Sequence, residues 1–198
     1  MIVRRPRTVP DWWDGACRIA AAIAVAACGF EASAEDVEPI LSLAGTMPAS
    51  GDYGGVLAAI DGIGATATSL SLFWDDLERD GFYAADPDWP AIAQAVYPPR
   101  GLALQLTFSV IDTVNDRRPA DLKGLSWDDP QVMGRFAVLV AEVFSRMPNI
   151  ELVSIAVGNE VDGFLYDDAV EEYGRFLGTA QDAIHLYRPD VPVTVKTT

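Results

Sequence analysis

The sequence predicts an α/β fold, namely part of a (β/α)8 TIM barrel that comprises about strands 1–5 of a parallel sheet with outer helices. Three observations lead to this prediction. Short apolar runs alternate with amphipathic stretches over residues 35–198, polar residues follow several of these runs, and no Gly-rich phosphate loop follows any of them. The alternation implies right-handed crossovers in either a doubly wound sheet or a barrel. The absence of a dinucleotide-binding fingerprint favours the barrel.

Five strands and four helices are expected along this region. The apolar runs predict strands at 39–43, 65–73, 101–110, 152–157 and 191–195. The amphipathic stretches predict helices at 53–63, 88–96, 129–147 and 168–187. The third helix has the clearest signals, since Asp129 can cap it, Pro130 lies in its first turn and Pro148 ends it. Asp168 followed by Glu171 resembles a capping box for the fourth helix.

Composition limits the possible partners. The chain has 198 residues, half of them hydrophobic, which is enough for one domain with a sizeable core. Its net charge of −15 opposes binding to nucleic acid and to anionic membranes. After residue 34 there is no cysteine, and His185 is the only histidine of the chain. We therefore expect no disulfide, no metal site and no cofactor in the body of the protein, and the oligomeric state stays open.

Residues 1–34 resemble a targeting segment. Arginines precede a small apolar stretch at 19–27, and Ala32-Ser33-Ala34 would suit signal peptidase. The stretch Val25-Ala26-Ala27-Cys28 also resembles the bacterial lipobox, with Cys28 as the lipidated residue. We therefore expect a bacterial protein that is exported and is periplasmic, secreted or anchored by a lipid, with its mature domain at 35–198. The alternative interpretation is a packed N-terminal helix. The apolar stretch is too short to span a bilayer, which takes about 20 residues.

Polar residues follow three of the predicted strands. The second strand ends in Phe73-Trp74-Asp75-Asp76, the third runs into Asp112 with Asn115 beyond it, and the fourth ends in Asn159-Glu160. The carboxyl ends of parallel strands meet at one rim of a barrel, so we expect these side chains around a single cleft. Carboxylates can cleave a glycosidic bond, and an aromatic plane can stack on a sugar ring. The pattern therefore favours a carbohydrate ligand.

These segments resemble those of the clan A glycoside hydrolases, which are retaining (β/α)8 enzymes whose fourth strand ends in Asn-Glu. The similarity is carried by Leu-Phe-Trp-Asp-Asp-Leu-Glu at 72–78 with Gly81-Phe82-Tyr83, by Ile111-Asp112-Thr113, and by Val-Gly-Asn-Glu-Val-Asp at 157–162. The resemblance covers residues 36–198, the N-terminal half of such a barrel. The Gly-Asn-Glu motif is also similar to that of plant-type β-1,3-glucanases, but the rest of that family's pattern is not found. Only the clan is therefore assigned.

The resemblance implies a role for each of these residues. Glu160 would be the general acid/base, and Asn159 would hydrogen-bond the sugar 2-hydroxyl group. Trp74 would stack on a sugar ring, and Asp112 and Asn115 would bind substrate. Each residue also has a purely structural interpretation. The tryptophan would then pack in the core or at the barrel rim, the strand-end Asp and Asn residues would cap loops, and the Asn-Glu pair would form a turn with a surface acid.

The resemblance also identifies a gap. In the clan, the nucleophile is a Glu on the seventh strand, and no residue here matches it because the predicted strands stop at the fifth. Retaining hydrolysis needs that second carboxyl group. Two functions therefore stay open: a glycoside hydrolase-like domain that acts on a polysaccharide or oligosaccharide, and a truncated noncatalytic barrel fragment that binds sugar or a partner chain. A periplasmic solute-binding lobe is a third, which the Asn-Glu strand end disfavours.

Overall fold

The computed structural model describes residues 40–44 and 52–198. The targeting segment predicted at 1–34, including Cys28, lies outside the described residues. The strands are β1 (Ser42–Ala44), β2 (Ala67–Phe73), β3 (Glu78–Arg79), β4 (Phe82–Tyr83), β5 (Ala103–Asp112), β6 (Asn115–Asp116), β7 (Leu152–Asn159) and β8 (Val193–Thr194). The α-helices are α1 (Tyr53–Gly62), α2 (Trp74–Leu77), α3 (Trp89–Val96), α4 (Pro130–Arg146) and α5 (Asp168–His185).

The main sheet follows the order of the chain. Its parallel strands lie in the order β1-β2-β5-β7-β8, and β6 pairs antiparallel with the end of β5. A doubly wound sheet reverses its strand order at a switch point, whereas this order never reverses. The sheet is therefore part of a (β/α)8 barrel, as predicted, and it contains the five expected parallel strands. The strands β3 and β4 form a separate hairpin.

The core lies between the sheet and the helices α4 and α5. Alternate side chains of β5, from Leu104 to Val110, are buried on the face that meets the helices. The Phe108 ring lies 5.5 Å from the Phe136 ring and 6.2 Å from the Phe144 ring, both on α4. The apolar stripe predicted for this helix is thus buried as expected. Burial of such aromatic rings removes a large apolar area from water and fixes the strand against the helix.

The ends of the two long helices agree only in part with the predicted caps. The Asp129 carboxylate accepts a hydrogen bond from the Gln131 main-chain N–H at 2.8 Å, so the predicted cap of α4 is confirmed. The capping box predicted for α5 is wrong. The cap residue is Asp167, which has φ 50° and makes no side-chain cap bond, and Asp168 is the first helical residue. At that position the Asp168 carboxylate favours the helix through the macrodipole.

The segment between β2 and α3 contains structure that the sequence pattern does not predict. The short helix α2 follows β2 directly and leads into the β3–β4 hairpin. Similarly, β5 runs on to Asp112 and turns back through β6. Elements of two to four residues are too short to show a hydrophobic period. None of the described helices is both long and apolar enough to span a bilayer.

Candidate functional site

The ends of β5 and β7 join two polar side chains that the sequence singles out. Asp112 and Asn159 are register partners across the two parallel strands. The Asn159 side-chain Nδ2 donates a hydrogen bond to Asp112 Oδ1 at 3.0 Å. Because an amide nitrogen donates and a carboxylate only accepts, this bond fixes which end of the Asn159 amide faces Asp112. The Oδ1 atom of Asn159 is therefore turned away from the carboxylate.

Glu160 follows in the left-handed backbone region, with φ 51° and ψ 46°. This conformation is uncommon for a residue other than glycine and turns the chain sharply at the end of β7. The half-buried carboxylate accepts a hydrogen bond from Thr113 Oγ1 at 2.7 Å. The Thr113 main-chain N–H also donates to the Asn159 carbonyl at 3.0 Å. Thr113, which the sequence analysis does not single out as a site residue, therefore holds both the turn and its acidic side chain.

Gly158 is required where β7 ends. It has φ +90°, and a Cβ atom there would lie 2.4 Å from Val161 Cγ1 and 2.6 Å from Tyr173 Oη. The Tyr173 hydroxyl donates to the Val157 carbonyl at 2.8 Å. Burial raises the pKa of Tyr173, so its hydroxyl stays protonated and able to donate. The glycine of the Gly-Asn-Glu motif thus lets a helix side chain reach the strand directly behind Glu160.

The chain after β8 holds the same turn from the other side. The Val161 N–H donates to the Lys196 carbonyl at 3.1 Å, and the Lys196 N–H donates to the Gly158 carbonyl at 3.4 Å. Asp162 accepts hydrogen bonds from the Thr198 N–H at 3.1 Å and from Thr198 Oγ1 at 2.7 Å. These bonds lower the pKa of the Asp162 carboxyl group. Asp162 is thus engaged with the chain itself.

The substrate-stacking role predicted for Trp74 is wrong. Its side chain is only 1% exposed, and its ring lies 5.3 Å from the Phe136 ring. The indole Nε1–H donates to Glu78 Oε2 at 2.8 Å, and Arg135 forms an ion pair with the other oxygen of the same carboxylate. The aromatic stripes of α4 and α5 close over Trp74, so the ring packs in the core and is not accessible to a ligand.

The two acids after Trp74 are engaged by an arginine. Arg117 Nε lies 2.9 Å from Asp75 Oδ1, and Arg117 Nη2 lies 3.3 Å from Asp76 Oδ2. The guanidinium group also lies over the Phe73 ring, 4.4 Å from its centroid. Burial raises the pKa of Asp75 above its ordinary value, and the charge of Arg117 opposes that shift. The end of β2 is therefore a charged cluster whose contacts are with the segment that follows β6.

Asn115 lies beside Asp112 but is exposed. Its Nδ2 donates to the Asp112 main-chain carbonyl at 3.2 Å, and the two residues are partners in the β5–β6 hairpin. A contact of this kind shapes the turn. His185 Nε2 lies 3.1 Å from the Val191 carbonyl, at the end of α5. Within the described residues, no group of three or more His, Cys, Asp or Glu side chains is arranged to hold a metal ion.

Several solved structures are similar to this chain. They include an exo-β-1,4-mannosidase from Opitutaceae bacterium strain TAV5, with a TM-score of 0.62 and 17% identity over 80% of this chain and 31% of that one. A GH5_18 protein from Bifidobacterium longum subsp. longum, solved with Manβ1-4GlcNAc, has a TM-score of 0.57 and 14% identity over 74% and 41%. A family 39 glycoside hydrolase from Bacteroides cellulosilyticus has a TM-score of 0.55 and 17% identity over 78% and 31%.

The chain spans 31–41% of the length of these three structures. No family sequence model matches the chain, and no curated protein sequence is similar to it. The fold is that of part of a (β/α)8 barrel like those of these glycoside hydrolases, as the strand-end motifs predict. In that fold, the rim formed by the carboxyl ends of the strands is where side chains act on a ligand. Asp112, Asn159 and Glu160 all lie at this rim.

Proposed function

We propose that this chain forms the acid/base-bearing part of a retaining glycoside hydrolase, with Glu160 as the general acid/base. The observation that carries the proposal is the rigid placement of Glu160 at the end of β7. Main-chain bonds fix its turn from both sides, and Thr113 Oγ1 holds the carboxylate at 2.7 Å. A catalytic group needs to be held by neighbours in this way. The likeness to glycoside hydrolase folds supports the same role for a strand-end acid.

The reaction would use Glu160 twice. In the first step, Glu160 gives its proton to the glycosidic oxygen as the bond from that oxygen to C1 breaks, and a carboxylate nucleophile bonds to C1. In the second step, Glu160 takes a proton from water as the water oxygen bonds to C1 and the ester to the nucleophile breaks. The Asn159 side chain, oriented by Asp112, would hydrogen-bond the sugar 2-hydroxyl group. That contact strengthens as positive charge develops on the ring.

The described residues supply the acid/base but not the carboxylate nucleophile. A retaining enzyme places its two carboxyl groups about 5–5.5 Å apart. The similar structures are more than twice as long as the matched part of this chain. We expect the second carboxyl group from the further barrel strands that those structures have and that the described residues, 40–44 and 52–198, do not form. A longer form of the chain, or a partner chain, would supply them.

The test compares two glutamates that flank the same strand, β7. Glu160→Gln removes the acid at the carboxyl end of β7, and Glu151→Gln removes an exposed acid that precedes its amino end. Hydrolysis of β-1,4-mannobiose and cellobiose is measured in the form of the protein that carries the full barrel. We expect Glu160→Gln to slow hydrolysis by at least about 100-fold and Glu151→Gln to leave it unchanged. Wild-type turnover by Glu160→Gln would contradict the role of Glu160.

A noncatalytic sugar-binding role is the second candidate. The described residues form five parallel barrel strands, so a carboxylate on a seventh strand is not among them, which favours this candidate. Binding of disaccharides without any hydrolysis by the 198-residue chain would support it. Turnover by this chain alone would reject it.

A further inference from the structure

A cleft lies on the same rim, between the end of β2 and the start of α3. It has a volume of about 360 Å³ and is bordered by Phe73, Asp76, Arg79, Asp86, Pro87 and Trp89. We name it the Trp89 cleft. Phe73 is the last residue of β2, so the cleft opens at the carboxyl end of the sheet. Both β2 and β7 pair with β5, which places the ends of β2 and β7 about 10 Å apart. The cleft and Glu160 therefore belong to one continuous rim.

The lining of the Trp89 cleft combines an aromatic plane with charged groups of both signs. Trp89 is 39% exposed, in contrast to the buried Trp74. Arg79 and Asp86 are exposed, and neither makes a side-chain hydrogen bond or ion pair with any other residue of the described ranges. A guanidinium group donates only, and a carboxylate accepts only. Together they can satisfy hydroxyl groups, which both donate and accept.

The charge of the cleft argues against an ionic ligand. Among the bordering residues, Asp76 is paired with Arg117 outside the cleft, which leaves Arg79 as the one unpaired cation and Asp86 as the one unpaired anion. A phosphate or carboxylate ligand near Arg79 would be repelled by Asp86, and a cationic ligand near Asp86 would be repelled by Arg79. A neutral ligand rich in hydroxyl groups, with an apolar ring face for the indole, meets none of this repulsion. A sugar ring has both properties.

The segment that presents Trp89 is fixed by its neighbours. Asp88 caps α3 by accepting from the Ala91 N–H, and it also accepts a hydrogen bond from the Tyr83 hydroxyl at 2.8 Å. Arg146 of α4 lies 3.2 Å from Asp88 and stacks over the Tyr83 ring at 3.6 Å. The residue before Trp89 is thus tied to the β3–β4 hairpin and to α4. The backbone that carries Trp89 is therefore positioned before a ligand binds.

We propose that the Trp89 cleft is a carbohydrate subsite that takes one sugar ring of an oligosaccharide whose neighbouring unit lies at Glu160. The placement of the neighbouring sugar unit at Glu160 rests on the proposed function. The binding of a sugar ring by the Trp89 cleft does not. Trp89 supplies the stacking plane, and Arg79 and Asp86 bind hydroxyl groups. The consequence is a preference for chains of two or more sugar units over a single sugar.

The experiment measures Kd by titration calorimetry for β-1,4-linked manno- and gluco-oligosaccharides of one to six units. The variants are Trp89→Ala, Trp89→Phe and Arg79→Ala, with Phe82→Ala as the matched control. Phe82 is 76% exposed on the same hairpin segment and does not border the cleft. We expect Trp89→Ala to raise Kd for the longer oligosaccharides about tenfold, which is about 1.4 kcal/mol. Trp89→Phe should restore part of the loss, and Phe82→Ala should bind as the wild type does.

The outcomes separate this subsite from the role of Glu160. Equal Kd values for the wild type and Trp89→Ala overturn the subsite, whatever Glu160→Gln does. A failure of the wild type to bind any of these oligosaccharides also overturns it. Binding that depends on Trp89 in a protein whose turnover does not depend on Glu160 supports the subsite and rejects the acid/base role. A loss of folding in Trp89→Ala would appear in its circular dichroism, and Arg79→Ala, an exposed change, then gives the decision.

Discussion

The Asn159 side-chain amide donates to the Asp112 carboxylate at 3.0 Å, and the two residues lie in register on neighbouring parallel strands. The bond joins the two strand-end motifs, which lie 47 positions apart in the sequence. The orientation of the Asn159 side chain is therefore set by the neighbouring strand β5 and not by the loop that follows β7. Any ligand contact of the Asn159 carbonyl oxygen then depends on a residue that need not touch the ligand.

The role of Asp112 is tested by Asp112→Ala. Without the acceptor, the Asn159 amide is free to rotate, and we expect the free energy of unfolding to fall by about 0.5–1.5 kcal/mol. The amide ¹⁵N and ¹H signals of the Asn159 side chain should shift toward solvent values. Asp112→Asn keeps an oxygen acceptor and should preserve them. Asn115→Ala is the control, because Asn115 contacts only the main chain of Asp112; if all three variants moved the Asn159 signals equally, the assignment to Asp112 would be wrong.

Two glycine-to-alanine substitutions should change the free energy of unfolding in opposite directions. Gly158→Ala places a Cβ atom 2.4 Å from Val161 Cγ1 at φ +90°, so we expect a loss of about 1–3 kcal/mol in urea unfolding. Gly174→Ala lies on α5 with no atom within 4 Å of the added Cβ, and it should gain up to about 1 kcal/mol. A neutral or stabilising Gly158→Ala would show that the turn before Glu160 tolerates a side chain.

Trp74→Phe separates a packing role from a ligand role. The change leaves Glu78 Oε2 without its indole donor in a buried setting, and we expect a loss of about 1–3 kcal/mol in the free energy of unfolding. The Kd for oligosaccharides should not change, since Trp74 is 1% exposed. A rise in Kd at unchanged stability would restore the stacking role that the structure rejects.

The pH dependence of stability should carry opposite contributions from two carboxyl groups. Burial raises the pKa of Asp75 above 3.8, so its contribution is fully present below that pH and is lost as pH rises through the folded-state pKa. The hydrogen bonds from Thr198 lower the pKa of Asp162, so its contribution is present above pH 3.8 and is lost as pH falls.

The measurement is thermal unfolding from pH 3 to pH 7. Relative to the wild type, Asp75→Asn should become more stable as pH rises, and Asp162→Asn should become less stable. Equal pH profiles for the two variants would contradict both assignments.

The sequence predicts the strands and the strand-end Asn159-Glu160 well, because a buried parallel strand is a continuous apolar run with an abrupt polar end. It leaves Trp74 open between packing in the core and stacking on a sugar ring, and the structure has the packing. A tryptophan at a strand end looks the same whether or not helices cover it, and the covering rings of Phe136 and Phe176 come from 62 and 102 residues away. Arg117 and Trp89 are missed for a related reason. An arginine that follows a hairpin and an aromatic residue that opens a helix give no periodic signal.

The main-chain N–H and carbonyl of Lys196 hydrogen-bond the turn that carries Glu160. The Lys196 side chain takes no part in these bonds. We therefore expect position 196 to accept nineteen amino acids during evolution without displacing Glu160. Proline is the exception, since it has no N–H to offer the Gly158 carbonyl. We therefore expect an alignment to show little conservation at residue 196 apart from the absence of proline.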